Sequence, residues 1–151
     1  MSALTDALVP LIGVAFGTGG TVLGQYLPTR ASKDRIAAAE AAALRAELKE
    51  AILDFLKICQ VVERTAERRS QEGQFIDGSP EQTHDMWFRQ KALTLVASPD
   101  LNQAALDYAF RLAGATYGRV PPGVDPDDYT SEKRGPFLDA ARKALGIPLP
   151  V

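Results

Sequence analysis

Apolar residues follow different rhythms along this chain, and each rhythm predicts a different element. The first is an unbroken run, Ala7 to Leu27, with no charge between Asp6 and Arg30. At about 1.5 Å per residue, a helix over this run reaches roughly 30 Å, the thickness of a bilayer's hydrocarbon core. Pro28 and Thr29 follow and are expected to break or bend it. From about Ser32 to Glu72 the sequence is rich in Ala, Glu, Arg and Leu, which predicts one long helix of roughly 60 Å. Within its second half Leu48, Ile52, Phe55, Cys59, Val62 and Ala66 alternate four and three apart, a heptad seam. Leu53, Leu56 and Val61 widen that apolar face, which favours burial in a bundle over a two-stranded coil. The alanine-rich first half, Ile36 to Ala46, reads as a stalk or a close helix contact.

Shorter amphipathic segments follow. Gly73 ends the long helix, and Ser79-Pro-Glu-Gln82 starts the next with a serine cap, a proline in the first turn and a glutamine able to complete a capping box. That helix carries Met86, Trp87, Phe88, Leu93, Leu95 and Val96. Ser98-Pro99 starts another in the same way, with Leu101, Ala105, Tyr108, Leu112 and Thr116 as its inner face and Gly118 at its close. Val120 to Asp128 is turn chemistry. A last helix is expected from about Pro136 to Leu145, with Phe137, Leu138, Ala141 and Leu145 on one face. The tail Ile147-Pro-Leu-Pro-Val151 cannot be helical and reads as extended. No segment alternates as a strand would. The expected fold class is all-α: an N-terminal transmembrane helix over 1–29, then a cytoplasmic stalk and an antiparallel bundle of about four helices over 30–146, then the tail 147–151.

Within the first run, Gly13, Gly17, Gly20 and Gly24 line one narrow helix face. Small residues on one face let membrane helices approach closely, so these glycines are candidates for helix association. Leu48, Ile52, Phe55, Cys59 and Val62 are the corresponding candidates in the stalk, although the same seam can instead be covered by the later helices. Either route makes a homo-oligomer the expectation. Orientation follows from the flanks. Arg30, Lys33 and Arg35 lie after the run and only Asp6 before it, which places the N-terminus outside the cell membrane and the bulk of the chain in the cytoplasm. The basic leading region and small-residue cleavage site of a signal peptide are missing.

Charge and chemistry narrow the function classes further. The 151 residues carry a formal charge of -2 and a pI near 5.4, which gives no electrostatic footprint for nucleic acid. Gly17-x-Gly19 has Val22 where a dinucleotide loop needs its third glycine, and no Gly-Lys-Ser/Thr follows. Cys59 is the only cysteine and His84 the only histidine. Neither has the neighbours that a nucleophile or a metal site requires, so no catalytic, cofactor or metal residues are assigned. His84 beside Asp85 is a solvated pair in a first turn. Adjacent Trp87 and Phe88 cannot both face one core; a bundle that buries two sides of this helix accounts for both, and otherwise they are the candidate partner contact.

With the anchor, the stalk, Leu95-Val-Ala-Ser-Pro-Asp-Leu101 and Phe137-Leu-Asp-Ala-Ala-Arg142 in view, the chain resembles small single-pass anchored helical proteins of high-GC Gram-positive bacteria. The resemblance implies one N-terminal span and a helical domain, and it brings no catalytic residues. The functional expectation is a non-enzymatic membrane-anchored scaffold or adaptor that self-associates and presents its bundle to a protein partner. The alternative is a membrane-active oligomer, holin-like or pore-forming, a layout that phage-encoded membrane proteins share.

Overall fold

Capping chemistry sets most of the helix boundaries. In the computed structural model, which describes residues 3–73 and 79–148, with side chains from residue 32 onward, four α-helices follow one another: α1 Ala3–Glu72, α2 Ser79–Thr94, α3 Pro99–Thr116 and α4 Pro126–Leu145. There is no strand among the described residues. Ser98 caps α3 from an extended conformation, its hydroxyl accepting the Leu101 N–H, with Pro99 as the first helical residue. Gly73 follows α1 and Gly146 follows α4, with φ of 68° and 69°, the left-handed conformation that closes a helix at no steric cost.

α4 begins ten residues earlier than the sequence suggested. Asp125 is its cap and accepts the Asp127 N–H at 2.8 Å, Pro126 opens it, and Asp127 and Asp128 place negative charge in the first turn. The stretch read as pure turn chemistry is therefore a helix start. Pro136, read as the start, lies inside the helix. An internal proline costs a helix about 3 kcal/mol, and here Phe137 and Ala141 just beyond it are buried in the core and hold the helix in place.

The chain divides into two units, Met1–Ala43 and Leu44–Val151, with α1 contributing to both. In the first unit every residue from Ser32 to Ala43 is exposed. Among the described residues no helix is long and apolar enough to cross a membrane. The expected break at Pro28 and Thr29 does not end the helix, because α1 runs through both; the side chains of the expected anchor Ala7–Leu27, with its glycines 13, 17, 20 and 24, lie outside the described residues.

The second unit is a helical bundle. Thr65 on α1 donates to Gln82 on α2 at 2.6 Å, and Asp54 on α1 pairs with Arg89 on α2 at 3.4 Å, so these helices run antiparallel. Arg111 with Glu132 and Asp100 with Lys143 set α3 and α4 antiparallel in the same way. Ile52, Phe55, Cys59, Val62 and Ala66 of α1 are buried against Met86 and Leu93 of α2, Leu101, Ala105, Tyr108 and Leu112 of α3, and Phe137 and Ala141 of α4. The heptad seam is thus the chain's own core. Phe55 stands at the centre, edge-on to Phe137 at 5.3 Å and to Tyr108 at 6.3 Å, and Tyr108 stacks on Phe137 at 5.8 Å. α3 presents the inner face expected from its sequence: Leu101, Ala105, Tyr108, Leu112 and Thr116 are all buried.

Candidate functional site

Because the seam is enclosed, the features open to a partner lie elsewhere, and they divide into a polar interior and an apolar surface. The interior feature grows from Glu63, the residue after Val62 of the seam. Its Oε1 accepts from the Tyr108 hydroxyl at 2.7 Å and from Arg134 Nη1 at 3.1 Å, while Arg134 Nη2 reaches Asp127 at 3.4 Å. Three helices meet in this network. Burial pushes the Tyr108 phenol well above its ordinary range, and the Glu63 carboxylate adds to the effect. Burial opposes the charge on Arg134, yet Glu63 and Asp127 outweigh it and hold the guanidinium above its ordinary value. A carboxylate, phenol and guanidinium satisfying one another inside a bundle fix helix positions. Sequence reading did not find this set, since 45 and 71 residues separate Glu63 from Tyr108 and Arg134.

Cys59 lies fully buried on the seam, and its thiol is pushed far up by burial and then by Glu63. A thiol held protonated is neither a nucleophile nor a metal ligand. His84 is exposed in a shallow depression formed by Pro80, Glu81, Asp85 and Phe88, all from α2, so the surroundings are one helix surface. Asp85 is turned to Arg89 at 3.4 Å. Among the described residues no group of three or more His, Cys, Asp or Glu could hold a metal ion.

The surface is more informative. Trp87 and Phe88, singled out together in the sequence, separate in the fold. Trp87 is half-buried and meets Phe110 of α3 edge-on at 4.9 Å, whereas Phe88 points out at 64% exposure. Phe110 is itself 61% exposed. At the end of the second unit where α1 enters it, Leu44, Leu48, Leu95, Val96 and Ala144 line an apolar groove with Arg45 beside it. Leu95 is 86% exposed there. Large apolar side chains gathered at a groove or an aromatic pair, rather than scattered singly, mark sites where proteins or membranes are met.

Compared with known proteins, the chain matches no family model, no curated protein sequence and no solved structure.

Proposed function

We propose that this chain is a non-enzymatic, membrane-anchored helical scaffold or adaptor that self-associates and presents a cytoplasmic bundle to a protein partner. The observation that carries the proposal is a bundle closed around its own core that still exposes Phe88, Phe110 and Leu95. A core that already buries Phe55, Tyr108 and Phe137 has no use for those side chains, and water gains nothing from them. Anchoring rests on the charge-free run Ala7–Leu27, and orientation rests on the basic residues that follow it. The same layout underlies the proposed kinship with anchored helical proteins of high-GC Gram-positive bacteria.

Cysteine accessibility tests the arrangement with little background, since Cys59 is buried and its thiol is held protonated. Single cysteines at Ser2 and at the exposed Gln60 are treated with a membrane-impermeant maleimide on intact cells. We expect Ser2→Cys to be labelled from outside and Gln60→Cys only after lysis. Labelling of Gln60→Cys in intact cells would overturn the orientation, and recovery of the chain in the soluble fraction would overturn the anchor.

A further inference from the structure

The apolar groove at the end of the second unit has a floor and a rim. Leu48 and Ala144 pack onto the core and form the floor, while Leu44, Leu95 and Val96 stand exposed around it with Arg45 beside them. Its volume is about 370 Å³, and every lining residue belongs to the second unit. Leu95 is fixed there from the backbone: its N–H donates to the Ala92 carbonyl, and the N–H groups of Val96 and Ala97 both donate to that of Leu93.

The chain that leaves α4 starts beside this groove. Ala144 lies in the last turn of α4, and Gly146, at φ 69°, closes the helix. The Gly146 N–H donates to the Lys143 carbonyl and the Ile147 N–H to that of Arg142, the paired bonds of a Schellman motif. These bonds hold the chain as far as Ile147, which is 49% exposed. Leu149 to Val151 lie outside the described residues. At about 3.3 Å per extended residue, the four residues after Ile147 reach roughly 13 Å.

The chemistry of this segment matches the groove. No charged side chain follows Lys143 as far as Val151. A proline after Ile147 and another after Leu149 bias both residues to extended backbone, so a strand's period of two sets Ile147, Leu149 and Val151 on one side. Pro148 and Pro150 carry no N–H, which leaves fewer donors stranded on an apolar surface. We propose that segment 147–151 lies in the groove of its own chain, with Leu149 and Val151 against Leu44, Leu48, Leu95 and Val96 and its carbonyls turned to the Arg45 guanidinium. A separate molecule has to be recruited to the groove, whereas this segment is tethered beside it and meets it at high effective concentration. A partner that uses Leu95 then has to displace the segment, while Phe88 and Phe110 stay open throughout.

Two measurements on the purified full-length chain test this. With copper phenanthroline as oxidant, Leu95→Cys with Leu149→Cys should form a disulfide within the chain at least fivefold faster than Asp139→Cys with Leu149→Cys, because Asp139 is exposed on another side of α4. Buried Cys59 gives no background. Separately, maleimide labelling of Leu95→Cys should quicken severalfold when Leu149→Asp is added, while labelling of Phe88→Cys stays unchanged. Equal disulfide rates at positions 95 and 139, or labelling at 95 that is indifferent to Leu149→Asp, would each overturn the proposal. Disulfides that join two chains, or protection of position 95 that grows with protein concentration, would assign the groove to a second copy and overturn it as well.

Discussion

Replacing Phe55 by alanine asks whether the heptad seam belongs to the chain's own core or to contacts between chains. The side chain is fully buried and stands edge-on to both Tyr108 and Phe137. Removing the ring forfeits its transfer energy and leaves a cavity that three helices cannot close together, a loss of about 3–5 kcal/mol for a buried phenylalanine. The two edge contacts place the expectation near the upper half of that range. A domain of this size has only about 5–15 kcal/mol in total. The melting temperature should therefore fall by about 15–30 °C. The assay is thermal and urea unfolding of the chain from Lys33 onward, followed by circular dichroism and by Trp87 fluorescence, at protein concentrations spanning a hundredfold. With the seam in the chain's own core, the loss is the same at every concentration. A midpoint that rises with concentration, or a loss under about 1.5 kcal/mol, would refute the enclosed seam.

Other expectations follow from the polar interior and the turns. Tyr108 and Cys59 are held protonated in the fold, so their folded-state pKa values exceed the ordinary 10.0 and 9.0. The stability they contribute is full below those values and is lost as pH rises above about 9. An alkaline titration of the unfolding midpoint should show that loss, and Tyr108→Phe should flatten it; an unchanged alkaline limb contradicts the assignment. Arg134→Met leaves Glu63 with only the Tyr108 hydroxyl and should cost about 1–3 kcal/mol in urea unfolding, the range for a broken buried pair reduced for partial exposure. Glu63→Gln on that background should recover part of the loss. Gly118 has φ of 74°, and a Cβ there would lie 2.8 Å from Arg69 Nη2, whose neighbour Nη1 is tied to the Thr116 carbonyl. Gly118→Ala should therefore lower stability by about 1–2 kcal/mol.

Local signals in this sequence were legible where a single residue type decides the backbone. Serine followed by proline marks the starts of α2 and α3, and glycine marks the ends of α1 and α4, because capping needs only neighbours in sequence. The start of α4 was misread for the same reason. Asp125-Pro126 and Gly135-Pro136 offer similar punctuation, and only the burial of Thr130, Phe137 and Ala141 across both halves decides that one helix spans them. The seam residues were visible by their period, yet period alone does not say which surface covers them. Packing by α2, α3 and α4 answered that. Glu63, Tyr108 and Arg134 carry no common signal, since their pairing exists only once three helices are in place.

Self-association of an anchored chain is the claim on which the scaffold reading stands, and sedimentation of the full-length protein in mild detergent tests it most directly. The monomer mass is 16.3 kDa. We expect the protein part of the particle to be at least twice that, while the chain from Lys33 onward, lacking the expected anchor, sediments as a monomer at micromolar concentration. A full-length chain that sediments at 16.3 kDa would contradict it.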